Sequence, residues 1–458
     1  MMGFEKNSGT PSNNYLLTFS ANPVKFTMGR NRKIKLKIGG IIVEIRVPYG
    51  QGEQVITVSD SNVGGIVHPN EVETGDEYET LQTALANPIG TVSFKEFVKP
   101  GGKILFIVND GTRPTPTAKV LDIIEDDIEG LDISFIVATG VHRAPTEEEY
   151  QFMFGKHLER YRDKIYSHDS KKDEDMVHIG TSKNGTEMWV NRRGVEADRL
   201  VIIGSVEPHY FGGFTGGRKA FLPGIASYKT IEQNHKYALL PEANALALDG
   251  NPVHEDMIDA LKTIEDKPIF SIQTVLDSER RIYAATAGHI HKSFYAAIDK
   301  AKEVFCVPVE GKADIVVTVA PYPMDVDLYQ SQKALDNGKL ALKESGILIL
   351  VSKCRTGIGH DSFYKLLSAC NTAKEVLDTI EQKYVLGYHK AAKMAEIGVW
   401  ADMWAVSELP DDVVKNVHMT PFASVQEAID EALKLKGPDA KMLFFMDGSI
   451  TVPMIQNG

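Results

Sequence analysis

Residues 103–140 read KILFIVNDGTRPTPTAKVLDIIEDDIEGLDISFIVATG, and their pattern decides the fold class. Two short apolar runs, KILFIVND and LDISFIVATG, flank TAKVLDIIEDDIEGL, whose apolar residues recur at helical spacing. A brief apolar run closed by turn residues reads as a buried strand, and recurrence at three and four residues reads as an amphipathic helix. Strand, helix, strand in that order implies parallel pairing and an α/β sheet. RLVIIGSV (199–206) supplies a third strand of the same kind.

Working outward, the pattern restarts after residue 305. ADIVVTVAP (313–321) and GILILVSK (346–353) read as strands. DLYQSQKALDNGKLAL, DSFYKLLSA, TAKEVLDTIEQKY and VQEAIDEALKLKG read as helices, the last stopped by glycine. Upstream, IKLKIGGIIVEIRVP (34–48) alternates on both sides of Gly39-Gly40, a hairpin signal. The expectation is a two-domain α/β protein with largely parallel sheets flanked by helices. Residues 15–306 form an N-terminal domain, to which 440–458 can return, and 307–436 form a second domain. The first fourteen residues or so read as a loose polar tail.

Composition narrows the function. The chain has 458 residues and a net charge of −12, so it lacks the dense basic face of a nucleic-acid binder. Its 43% hydrophobic content supports sizeable cores. No apolar run is long enough to suggest a transmembrane helix, and the polar start does not read as a secretory signal. Cys306, Cys354 and Cys370 are few and unpatterned, which fits a reducing cytoplasm and makes a cysteine-built metal site improbable.

In open parallel sheets, ligands sit beyond the carboxyl ends of the strands. The chemistry-bearing residues cluster there: Asp110 and Arg113 in NDGTRPTP, His142 in ATGVHR, and His209 in EPHYFGGFTGGRK. Gln330 and Lys333 in YQSQK follow the first strand of the second domain. Arginine is a natural carboxylate or phosphate clamp, although Asp110 and Arg113 also suit a plain turn with a local ion pair. A histidine past a buried strand can serve as general acid or base, or simply bond to backbone. The glycines at 212, 213, 216 and 217 let backbone approach a ligand, and Lys219 follows them. This is not a phosphate-binding loop of the Walker type, since the spacing fails and Ala220 stands where Ser or Thr is required. Lys219 in a confined site can become a nucleophile. His235 has no partner ligand in helical register, so a zinc site built from protein alone is improbable, and any metal there needs non-protein ligands. GHIHK (288–292), with His289 and His291, lacks spaced partners and reads as structural.

Together NDGTRPTP, ATGVHR, EPHYFGGFTGGRKAFLPG, the Asn234-His235 pair and YQSQK resemble the lactate racemase family, from about residue 45 to near the C-terminus. The spacing from His209 to Lys219 to His235 is similar too. The resemblance implies a racemase or epimerase that inverts C2 of a 2-hydroxy acid by hydride transfer, with the active site in the interdomain cleft. It implies a nickel-pincer nucleotide (pyridinium-3,5-bisthiocarboxylic acid mononucleotide carrying nickel), bound covalently by Lys219 and ligated to nickel by His235. Asp110, Gly216 and Gly217 would assist the cofactor. His142 and His209 would be the acid/base pair. Arg113, Gln330 and Lys333 would hold the substrate. The partners implied are a small 2-hydroxy acid and cofactor-biosynthesis enzymes. The chain departs from the family's pattern at GYHKAAKM (387–394), where His389 and Lys390 stand in the region of a family tryptophan. Lactate and larger, more polar or aromatic acids all remain open as substrates. Two rival readings are a Schiff-base lyase or aldolase using Lys219, and a non-catalytic nucleotide- or phosphate-binding module using the glycine-rich bend.

Overall fold

A computed structural model describes residues 14–17, 24–27, 32–37 and 40–456. The stretch read as a loose tail lies outside the described residues up to residue 13. The strand–helix–strand reading holds: Ile104–Asn109, the helix Thr117–Ile128 and Ile133–Ala138 follow one another, and the two strands pair in parallel. Val120, Leu121, Ile124 and Ile128 turn one helix face onto the core.

The first sheet has six strands, in the order Ile282–Gly288, Ile269–Leu276, Arg199–Ser205, Ile104–Asn109, Ile133–Ala138 and Ile165–Ser167. Every neighbouring pair is parallel except the first, which is antiparallel. The second sheet also has six strands, all parallel, in the order Thr420–Phe422, Asp402–Val406, Leu342–Val351, Ala313–Val319, Met442–Phe445 and Val63–Val67. Helices cover both sheets, as expected of strands that are apolar along their whole length.

Each sheet reverses its winding once. In the first, the chain moves outward from Ile104–Asn109, then returns to place Arg199–Ser205 on its other side. In the second, it moves outward from Ala313–Val319, then returns to place Met442–Phe445 on its other side. Ligand crevices in such sheets form at the carboxyl ends of the strands flanking the reversal.

The expected division of the chain needs correction at both ends. Residues 440–458 do not complete the first sheet. Met442–Phe445 pairs with Ala313–Val319, and Val452–Gln456 pairs with Cys306–Glu310. At the other end, Val63–Val67 is an edge strand of the second sheet. The hairpin read at 34–48 does form, with Arg32–Lys37 antiparallel to Gly40–Tyr49, and Gly52–Ser59 extends it. Val43, Ile45, Val47, Ile56 and Val58 pack on Ile315, Val317, Ile347, Ile349 and Phe444 of the second sheet. Alternation hides one face of these strands under the second unit, so the first unit is inserted between two parts of the second.

Candidate active site

Asp110 and Arg113 leave the end of Ile104–Asn109, and Glu207 and His209 leave the end of Arg199–Ser205, so both pairs flank the first reversal point. Arg113 donates to Glu207 Oε1 across that gap. From the second reversal come Lys333, on the helix Leu328–Gly338, and Asp447, just beyond Met442–Phe445. Arg113, Glu207, His209, Tyr210, Lys333 and Asp447 share the lining of one cavity of about 360 Å3. Its walls thus come from both sheets.

The glycine-rich bend is a tight hairpin. His209 pairs with Gly213, and Thr215 ties the base by donating its hydroxyl to Ser205 O at 2.8 Å and its N–H to Glu207 O at 2.8 Å. Arg218 lies fully buried beneath the bend. It donates to Gly212 O at 2.6 Å, Phe214 O at 2.9 Å and Gly216 O at 3.3 Å, and its guanidinium stands 4.4 Å from the centroid of Phe294. Burial lowers its pKa to about 9. Gly216 and Gly217, expected at the cofactor, face the protein. The Gly217 N–H bonds Gln273 Oε1 at 3.1 Å, and a side chain on Gly216, where φ is +87°, would meet that oxygen at 2.5 Å. These glycines serve the sharp turn that delivers Lys219.

Phe211 at the tip of the bend is the hub of the site. Lys219 Nζ stands 5.5 Å from its centroid. The rings of His209, His235 and His389 lie 4.6, 5.0 and 5.3 Å from it. Lys219 Nζ and His209 Nδ1 both border Gly212, where a Cβ would come within 3.5 Å of the amine and 3.3 Å of the imidazole. Burial, then the charge of Arg218, holds the Lys219 amine well below the usual lysine range. Burial and the charge of Lys219 lower His235 to about 3. Its Nδ1 lies 3.1 Å from Asn234 Oδ1, an acceptor, so Nδ1 carries the proton and Nε2 keeps its lone pair.

His209 has the opposite tautomer. Burial, then Lys219, Arg113 and Lys333, hold it well below its ordinary range, so the ring is neutral. Its Nδ1 accepts from the Gly212 N–H at 3.1 Å, which leaves the proton on Nε2. His142 lies 2.7 Å from Asp110 Oδ2 through Nδ1, which leaves Nε2 as its free lone pair when neutral. Asp110, expected at the cofactor, is committed elsewhere. Its other oxygen takes the Thr112 hydroxyl at 2.6 Å and the Thr112 N–H at 3.1 Å. Burial pushes the Asp110 pKa up, but the hydrogen bond and charge of His142, with Thr112 and Arg113, hold it below the ordinary carboxylate value. This carboxylate orients His142 and its own turn.

Lys333 is lowered to about 7 by burial and then by Arg113. Gln330, three residues earlier, does not line the cavity with it. Its backbone N–H caps the helix on Asp327 Oδ1 at 2.6 Å. His142 is likewise outside the lining, with its side chain 36% exposed.

Phe211, His389, Lys390 and Asp447 were not candidates from sequence. His389 is buried with its ring 5.6 Å from that of His235, and its Nδ1 lies 3.1 Å from the Tyr384 hydroxyl. Lys390 bonds Tyr329 O and lies over the rings of Tyr329 and Tyr210, at 4.1 and 5.2 Å. The only signal for His389 and Lys390 was the departure at 387–394. Among the described residues, no group of three or more His, Cys, Asp or Glu could hold a metal. No described helix is long and apolar enough to cross a membrane.

Comparison with known proteins adds the following. Residues 49–246 match the lactate racemase N-terminal domain, and residues 309–452 match the lactate racemase C-terminal domain. The chain is 32% identical over 423 residues to a lactate racemase of Thermoanaerobacterium thermosaccharolyticum, covering 89% of this chain and 98% of the relative. It is 33% identical over 424 residues to a lactate racemase of Lactiplantibacillus plantarum, covering 89% and 99%. The structure of the lactate racemase apoprotein from T. thermosaccharolyticum superposes with a TM-score of 0.84 at 32% identity, over 90% of this chain and all of that one. A Thermotoga maritima protein at 18% identity shares the fold, with a TM-score of 0.65 over 84% of this chain.

Proposed function

Because the chain belongs to the lactate racemase family of isomerases, we propose that it inverts C2 of a 2-hydroxy acid, using a nickel-pincer nucleotide carried on Lys219 and His235. The observation that carries this reading is the gathering of Lys219, His209 and His235 around the single ring of Phe211.

The donor set fits such a group. Lys219 is an amine whose pKa burial has depressed, the state needed to form a covalent bond through nitrogen. His235 is a neutral imidazole with Nε2 available, as a metal ligand must be. One histidine alone cannot close a metal site, and the group would bring the remaining ligands. When bound, it supplies the acceptor for the hydride of C2.

The chain's own residues do the rest. Lys333 and Arg113 take the substrate carboxylate, with Glu207 keeping the guanidinium aimed at the cavity. Gln330 joins this clamp as the two units close on the substrate. His142 presents a basic Nε2 to the 2-hydroxyl, and Asp110 balances the imidazolium that forms when the proton is taken. His209 presents Nε2–H to the oxygen of the flat 2-keto acid as a hydrogen-bond donor, and to transfer that proton it must first take a second one on Nδ1 and release the Gly212 N–H. To act as base for the opposite enantiomer it must move its proton to Nδ1 and release the Gly212 N–H. The cofactor-biosynthesis enzymes are the partners this reading requires, and the cytoplasm is the compartment it implies.

The test is intact mass spectrometry and nickel analysis on protein made together with cofactor-biosynthesis enzymes, paired with a chiral assay over a panel of 2-hydroxy acids. The wild-type chain gains mass and racemises at least one acid. Lys219→Ala gains none, and His235→Ala keeps its fold but retains no nickel. An unmodified wild-type chain sinks the assignment. Borohydride trapping of substrate on Lys219 without nickel supports the Schiff-base lyase instead.

A further inference from the structure

We propose that Asp447 binds a hydroxyl group borne by the substrate beyond C2, so that the preferred substrates are hydroxylated acids with a second oxygen function next to the reacting carbon. This deepens the racemase reading and rests on it.

The first support is position. Asp447 follows Met442–Phe445, the strand that flanks the reversal of the second sheet, where a ligand crevice is expected. It lines the same cavity as His209, Arg113 and Lys333. The second is that it is uncommitted. Of the other carboxylates on that lining, Glu207 is paired with Arg113. Asp277 is paired with Arg281 at 2.8 Å and accepts the Thr74 hydroxyl at 2.7 Å. The Asp447 carboxylate accepts only the Ser449 N–H, at 3.2 Å, and among the described residues no cation stands within ion-pair distance of it. Neither the proton chemistry of the histidines nor the carboxylate clamp uses it.

The third is its chemical state. Enclosure pushes the Asp447 carboxyl up to about 7, with Glu207 adding to the rise and Arg280 opposing it. Near neutral pH such a carboxyl both donates and accepts. A hydroxyl is its complement, since it also does both. A second ligand carboxylate would meet repulsion whenever Asp447 ionised. An ammonium would need Asp447 fully charged beside Glu207.

The test compares glycerate, which has a hydroxyl on C3, with lactate, which lacks it. Cofactor-loaded wild type, Asp447→Asn and Asp447→Leu are assayed for KM and kcat on both. The expected result is that wild type favours glycerate by about tenfold or more in 1/KM, that Asp447→Leu abolishes this preference, and that Asp447→Asn, which keeps a donor and an acceptor, retains most of it. Equal KM for the two acids in wild type, or an unchanged ratio in Asp447→Leu, overturns the proposal. The adduct mass is measured in parallel. If Asp447→Leu loses adduct while each loaded site keeps its preference, the hydroxyl belongs to the nucleotide's ribose, and the substrate assignment fails. Calorimetric titration of the apoprotein with both acids separates this inference from the racemase reading. Tighter glycerate binding that Asp447→Leu removes sustains the inference even if neither acid is racemised, whereas equal binding refutes it.

Discussion

Lys333 titrates within the working range of an enzyme, because burial and then Arg113 lower it to about 7. A lysine so lowered is charged below that pH and neutral above it, so its grip on a carboxylate weakens as pH rises. KM for the substrate should therefore climb above pH 7 in wild type, and Lys333→Arg should flatten that climb, since guanidinium stays charged. Asp110 works in the opposite sense. Its pKa is held below the ordinary 3.8, so the stability it contributes is present above that value and lost as pH falls through the carboxylate range. Asp110→Asn should cost about 2 kcal/mol at pH 7, and melting curves should show the gap closing as pH falls below the ordinary carboxylate value. At this scale, residues whose chemistry is carried by type were legible. Lys219 and His209 stand out as candidates because an amine and an imidazole lie in a glycine-rich bend, whereas His235 is singled out chiefly by the family resemblance. Asp447 was not legible, because its role comes from residues distant in sequence, and Phe211 was not, because only the fold gathers Lys219, His235 and His389 around one ring.

Among the elements, the glycine-rich bend shows how a motif can be found and its parts still misassigned. Its position after Arg199–Ser205 was readable from the apolar run before it. The inward bonds of Gly217 were not, since they depend on Gln273 of a neighbouring strand. Nor was the burial of Arg218, which the sequence shows only as a second cation beside Lys219. Three backbone carbonyls of the bend rely on that guanidinium. Arg218→Met should therefore lower stability by about 3 kcal/mol and slow covalent loading of Lys219, as melting curves and a time course of adduct mass would show. A full loading rate in the variant would mean the bend holds its shape without the cation.

For the whole molecule, the α/β class and the largely parallel pairing followed from apolar runs and helical periods, which are local signals. Which sheet each terminal segment joins was not local. KMLFFMDGSITVPM suited either unit, and only pairing with Ala313–Val319 decides it. The hairpin at 34–48 is legible as a hairpin, but its extension by Gly52–Ser59 is not, and its target is invisible until Val43 and Ile45 meet Val317 and Ile349. A fragment spanning 309–456 should then expose the face that this hairpin covers, bind a hydrophobic dye and aggregate. A fragment spanning 70–305 should melt cooperatively. Joining residues 40–67 to the first fragment through a flexible linker should restore its solubility, and a soluble, cooperative 309–456 fragment on its own would show the cover to be dispensable.

The insertion also orders events during synthesis. Val63–Val67 leaves the ribosome long before Met442–Phe445, the strand it pairs with in the second sheet. The nascent chain must carry an unmatched edge and the oily side of a hairpin while the inserted unit is made and closes upon itself. Early-emerging segments of this kind are natural clients for a chaperone. The hazard of this architecture therefore falls on translation rather than on the finished enzyme.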